Sequence, residues 1–298
     1  MSGAQDVWAS AVASWAMAQP DITALVQIGS RVQEGGRADE WSDFDYHLVT
    51  TRPQRYRDGS FARTIAPCWV SGVQLAFGRA VKVSAVYEGA LEADFVVLSD
   101  LEVRVATAAM GLPGTRWLWP GPLRRGVDSF RIVAAPGWRV IKGGDAWKRR
   151  YARVTPLRIE LTEEEFRVLC GEFWTQLVWA AKKAARGEYR ASQRALHVHL
   201  LENCMRLLQE EALLTGRGAF PLSRRAEGWL TRAQAEGTGF TSAPDAQTLF
   251  RALEAVGGAF ETSATEVARL KGWRADTPAQ VRPWLSALSL SSTGKARQ

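Results

Sequence analysis

Cysteine is scarce in this chain, and Cys68, Cys170 and Cys204 lie far apart, with no spacing that suits a disulfide pair or a zinc site. Three buried, reduced thiols are expected. No apolar run reaches the ~18 residues that a membrane-spanning helix needs. No basic segment followed by an apolar core opens the sequence, so no secretory signal is read. These absences point to a cytoplasmic protein without a membrane partner. Internal repeats and low-complexity segments are also missing.

Charge of one sign is not concentrated anywhere. The net charge is +7, but residues 1–156 hold 19 basic and 15 acidic side chains and residues 157–298 hold 19 and 16. A nucleic-acid footprint needs a stronger local bias, so nucleic acid is not expected as a partner. The densest basic cluster, Lys148, Arg149, Arg150 and Arg153, reads as a solvated face, with a nucleotide-phosphate contact as the lesser alternative.

What the chain does have is an ordinary globular composition, 46% hydrophobic and 23% charged over 298 residues, enough for two domains. Residues 1–156 read as mixed. Trp8, Val12, Trp15 and Ala16 recur at helical spacing, giving a helix that ends near Pro20. Strands are expected at 22–28, 44–50, 81–87, 95–98 and 139–142, with Glu88-Gly89 as a turn and 31–42 as a loop. Residues 111–145, rich in Gly, Pro and Trp, fit no single element; Trp117, Trp119 and Trp138 there read as packing residues. From residue 157 the pattern becomes helical. Thr162 and Glu165 form a capping box, in which hydroxyl and carboxylate each satisfy a free backbone N–H. Phe166, Leu169, Cys170, Phe173, Leu177, Ala181 and Ala184 then hold one apolar face. Further helices are expected at 196–208 and 245–272, with short ones near 222–236 and 278–289 and a frayed tail from Ser291. The expected fold class is α+β: a mixed sheet with helices over 1–156, then an α-helical bundle over 157–298.

The chemistry concentrates at one place. An apolar strand ends at Gly29-Ser30-Arg31, a polar loop follows, and the next strand opens with Asp43-Phe44-Asp45. Side chains two apart on a strand share a face, so Asp43 and Asp45 project together while Phe44 turns to the core. Carboxylates this close repel unless a cation neutralises them, and Mg²⁺ favours carboxylate and phosphate oxygens. Asp94, a charge within the otherwise apolar run 93–98, joins them if the two strands pair. Three carboxylates can hold two metals about 3.5–4 Å apart, one at the attacking oxygen and one at the leaving side. Gly29 lets backbone approach phosphates, Ser30 adds a hydroxyl, and Arg31 can pair with phosphate. Glu88 and Glu92 read as turn residues, with a base role as the alternative. His47 is expected off the Asp43/Asp45 face, packing or hydrogen-bonding. His197 and His199, two apart on a helix, do not make a zinc pair.

These motifs resemble the nucleotidyltransferase superfamily, and within it the aminoglycoside 6-adenylyltransferase (streptomycin adenylyltransferase) family. Three segments carry the likeness. They are Gly29-Ser30-Arg31 through Asp43-Phe44-Asp45, Tyr87-Glu88-Gly89 through Ala93-Asp94-Phe95, and Glu172-Phe173-Trp174 followed by Ala181-Lys182, Arg186 and Glu188. The third is the most specific, because the superfamily at large lacks it. The resemblance implies ATP as co-substrate, magnesium at Asp43, Asp45 and Asp94, and transfer of AMP to a hydroxyl of a small acceptor with release of pyrophosphate. It implies that Gly29, Ser30, Arg31 and Lys182 contact the nucleotide and that Glu172, Trp174 and Trp179 border the acceptor. Trp174 fits a core position equally well. The acceptor stays open between an aminoglycoside, another small molecule, a protein and an RNA end, and a non-catalytic nucleotide-binding homologue is a further alternative.

Overall fold

The computed structural model describes residues 3–33, 38–76, 79–111, 120–156, 160–219 and 223–295. Trp117 and Trp119 lie outside them. The chain divides into two compact units, Met1–Arg158 and Ile159–Gln298, and its class is α+β, as expected.

The first unit is built on a six-stranded sheet. Its strands are β1 (Ile22–Ile28), β2 (Phe44–Thr50), β3 (Cys68–Leu75), β4 (Val81–Tyr87), β5 (Leu91–Ser99) and β6 (Trp138–Lys142), in the spatial order β3-β4-β5-β2-β1-β6. β2 and β5 run parallel and the other pairs antiparallel. β1 and β2 are buried on both faces at almost every position. That explains their near-continuous apolar sequences. On one face helix α1 (Gly3–Met17) sends Trp8, Val12 and Ala16 against Leu25, Tyr46, Leu48 and Phe95. The other face is covered by α2 (Asp100–Met110), α3 (Gly121–Ala134) and α4 (Gly144–Tyr151), whose Val103, Phe130, Trp147 and Tyr151 meet Val26, Ile28, Val49 and Leu98.

Three helices and one strand here were not read from sequence. β3 is the sheet edge and exposes Trp69, Val70, Val73 and Leu75, so it shows no alternation. β5 starts at Leu91, earlier than expected. α3 occupies much of the segment that fitted no element, and its start at Gly121-Pro122 uses proline where the missing N–H costs nothing.

The second unit is all helix: α5 (Glu163–Ala185), α6 (Tyr189–Ala195), α7 (Glu202–Leu214), α8 (Arg232–Thr238), α9 (Ala246–Lys271) and α10 (Val281–Lys295). A π-helical turn over Leu196–Leu201 joins α6 to α7. The Thr162–Glu165 capping box opens α5 as expected, and Asp245 caps α9 by accepting from the Thr248 N–H at 2.8 Å. Gly272 ends α9 at φ +69°, the left-handed conformation that glycine tolerates. Phe173 of α5 stacks on Phe260 of α9 with centroids 3.6 Å apart, at the centre of the core. The expected fraying from Ser291 is corrected: α10 runs on to Lys295, with the Ser291 hydroxyl donating to the Leu288 carbonyl. Cys170 and Cys204 are buried thiols, raised by burial to about 11 and about 12; Cys68 is half-buried on β3. No helix among the described residues is long and apolar enough to cross a membrane.

One ionic cluster is built into this core. Lys271 Nζ lies 2.8 Å from Glu160 and 3.3 Å from Glu210, whose other oxygen accepts from the Leu161 N–H. Glu210 is 3% exposed, so removing its cation leaves a buried, uncompensated charge. Lys271→Met is expected to destabilise the protein by about 3 kcal/mol, measured by urea unfolding; an unchanged midpoint contradicts this.

Candidate active site

The end of the sheet where β1 stops and β2 and β5 begin carries the three carboxylates expected to hold metal, Asp43, Asp45 and Asp94. Ile28 pairs with Asp45 across β1 and β2, Asp45 pairs with Asp94 across β2 and β5, and Asp94 pairs with Ser84 across β5 and β4. The parallel register therefore sets Asp45 and Asp94 on one rung. Asp43 joins them from the residue before β2. One oxygen from each of the three lies within 4.8 Å of the others, and all three residues are half-buried. Like charges so near one another, partly shielded from water, make a cation the natural complement.

The turn after β1 is shaped around this group. Gly29 has φ +79°, and a Cβ on it would lie 2.2 Å from Asp45 Oδ2. Backbone conformation and space both demand glycine, because the carboxylate occupies the volume a side chain would fill. The Val32 N–H closes the turn on the Gly29 carbonyl at 3.2 Å. Ser30 is half-buried beside it. The hard oxygen donors and the glycine cradle fit a divalent cation of the Mg²⁺ kind.

Arg31 has a job within the fold. Its Nε donates to the carbonyls of Ser42 and Asp43 at 3.1 and 3.0 Å, Nη1 donates to Gln5 at 3.2 Å, and the guanidinium sits 4.0 Å over the Phe44 ring. Burial lowers its pKa, against the opposing effect of Tyr46, Asp43 and Asp39. Asp39 folds the same loop, accepting from the Trp41 N–H and the Ser42 hydroxyl. Together these bonds deliver Asp43 to the site. Arg31 thus positions a carboxylate here, and pairing with phosphate requires it to exchange those carbonyls.

His47 corrects an expectation. It follows Asp45 by two positions and so lies on the same face, two rungs farther along, not off it. It does pack, as expected: it is fully buried, its Nδ1 is 2.9 Å from the Tyr151 hydroxyl, and its ring lies against Phe130. Burial lowers its pKa to about 3, so it is neutral and leaves the carboxylates' charge untouched. Lys82 of β4, which the sequence did not single out, forms an ion pair with Asp94. Glu88 and Glu92 are exposed, and the Glu88 N–H is bonded to the Pro67 carbonyl. Lys148 pairs with Asp145 on the exposed side of α4, and Arg150 lies over Trp147.

A cavity of about 410 Å³ opens at the same end of the sheet, lined by Gln5, Gln27, Arg31, Phe44 and Arg139. Gln27 and Arg139 share a rung with Tyr46, so this cavity is on the face opposite the carboxylates.

In the second unit, Glu172, Trp179 and Lys182 line the exposed side of α5, with the Lys183 ammonium 5.3 Å from the Trp179 ring. Trp174 faces the other way. It is 5% exposed and packs edge-on to Phe173 and Phe260, which is the core position that its sequence equally allowed. His197 is exposed and bonded to the Ser242 hydroxyl at 2.5 Å.

No protein-family model matches the chain, and no curated protein matches it. Among solved structures it is similar to an aminoglycoside 6-adenyltransferase from Bacillus subtilis, with 12% identity over 96% of this chain and 97% of that one and a TM-score of 0.41. It is also similar to a nucleotidyltransferase-like protein from Exiguobacterium sibiricum, with 9% identity over 90% of this chain and 78% of that one and a TM-score of 0.34.

Gly29→Ala is expected to destabilise the fold by about 2 kcal/mol, from the left-handed backbone and the displaced Asp45 carboxylate. Thermal unfolding measures it; a variant as stable as the parent contradicts the cradle.

Proposed function

We propose that this protein is a magnesium-dependent nucleotidyltransferase that moves AMP from ATP to a hydroxyl of a small acceptor and releases pyrophosphate. The observation that carries this reading is the set of three carboxylate oxygens within 4.8 Å of one another beside the Gly29-Ser30 turn. A divalent cation, when bound, offsets the carboxylates' repulsion and polarises phosphoryl oxygens. The chain does the rest. Asp43, Asp45 and Asp94 hold and orient the cation, and the parallel register of β2 and β5 keeps two of them opposed. The Gly29-Ser30 turn offers backbone N–H and a hydroxyl to the β- and γ-phosphates. The acceptor hydroxyl then attacks the α-phosphorus in line, and pyrophosphate leaves on the opposite side.

For the acceptor we assign an aminoglycoside of the streptomycin kind, on the Glu172-Phe173-Trp174 motif and the Ala181-Lys182, Arg186 and Glu188 that follow. Exposed Glu172 and Trp179 suit a polycation with apolar ring faces, and Lys182 suits the triphosphate. The buried Trp174 supports this wall from behind.

Labelled ATP, Mg²⁺ and a panel of aminoglycosides test the proposal directly. Transfer of label to a panel member supports it. Pyrophosphate release with no member labelled moves the acceptor to another small molecule, a protein or an RNA end. Absence of ATP binding removes the nucleotide reading. Asp45→Asn is expected to lower transfer by about a hundredfold to a thousandfold, the scale of a lost electrostatic centre, while its circular dichroism stays that of the parent; near-normal turnover refutes the metal role.

A further inference from the structure

The carboxylate face carries a cation of its own. Lys82 on β4 stands opposite Val96 of β5, two rungs farther along than the Asp94–Ser84 pair and on the same face. From there its side chain reaches diagonally to Asp94. Diagonal side chains two rungs apart on one face are close enough for a long lysine to span. The Lys82 side chain is 34% exposed and that of Asp94 is 16%, so the pair is half-shielded and only partly screened. On the adjoining strand, the next residue on that face is His47, fully buried and turned to Tyr151. Arg31 is occupied by the Ser42 and Asp43 carbonyls.

We infer that Lys82 is a resident counter-ion of this site, exchanged for the divalent cation: it holds Asp94 while no metal is bound, gives Asp94 up when metal enters, and then faces the triphosphate. The inference rests on reading Asp43, Asp45 and Asp94 as metal ligands. The ammonium already neutralises part of the charge at Asp94 and repels a second cation there, so the ion pair competes with metal. Once Asp94 is taken, the ammonium has lost its counter-charge, and the anion brought to that face is phosphate. The lysine thereby weakens metal binding in the free protein and strengthens binding of the metal–nucleotide pair. The site is left less prone to fill with a cation before the nucleotide arrives.

The test is Mn²⁺ titration of the full chain by calorimetry, without nucleotide and then with α,β-methylene-ATP, which binds but is not cleaved between its first two phosphates. Lys82→Met keeps the stem and removes the charge. It is expected to bind Mn²⁺ alone about tenfold more tightly and the nucleotide, at saturating Mn²⁺, about tenfold more weakly, the scale of one adjacent charge. Lys82→Arg is expected to stay within about twofold of the parent in both. Opposite signs in Lys82→Met separate this role from a structural one, which weakens both. Unchanged or weaker Mn²⁺ binding in Lys82→Met overturns the exchange while leaving the metal centre standing. Tighter Mn²⁺ binding with unchanged nucleotide binding overturns the triphosphate contact. No Mn²⁺ binding in parent or variant overturns the exchange and the metal centre together.

Discussion

Electrostatic repulsion among Asp43, Asp45 and Asp94 is the constraint around which the first unit is arranged. Three carboxylate oxygens within 4.8 Å of one another on a half-buried sheet face are unfavourable by themselves. The surrounding chain holds them there. The β2–β5 register opposes two of them, Arg31 and Asp39 fix the loop that supplies the third, and Gly29 leaves the volume that Asp45 fills. Lys82 offsets part of the charge. Carboxylates kept together against their repulsion form a group that a cation would stabilise.

The helical unit solves a different problem. Its core is apolar and aromatic around Phe173 and Phe260, and the buried Glu210 is paired with Lys271, which also holds Glu160. The same helix, α5, buries Trp174 and exposes Glu172, Trp179 and Lys182. One element therefore has both a packed and an exposed polar side, as spacings of three and four residues allow.

Elements with regular burial were legible in the sequence, and those without it were not. β1, β2 and β4, the capping box of α5 and the long α9 follow directly from periodicity and cap chemistry. β3 was hidden because an exposed edge strand has no inside to alternate with. α3 was hidden within a stretch of glycine, proline and tryptophan. At the site, the carboxylates were legible because their chemistry is local, and Asp94 because a charge in an apolar strand needs a reason. Lys82 was not, since its partner depends on a diagonal across β4 and β5 that no spacing reveals. The bonds of Arg31 to the Ser42 and Asp43 carbonyls were not legible either, because backbone partners leave no mark in a sequence. His47 shares the carboxylate face because side chains two apart on a strand point the same way.

The account stands on Asp43, Asp45 and Asp94 acting as one cation site. A crystal of the full chain soaked in Mn²⁺ and measured at the manganese absorption edge tests this most directly. The account predicts an anomalous peak bridging the carboxylates of Asp43, Asp45 and Asp94, with Lys82 withdrawn from Asp94. Manganese bound elsewhere, with the three carboxylates bare and Lys82 still on Asp94, would contradict it.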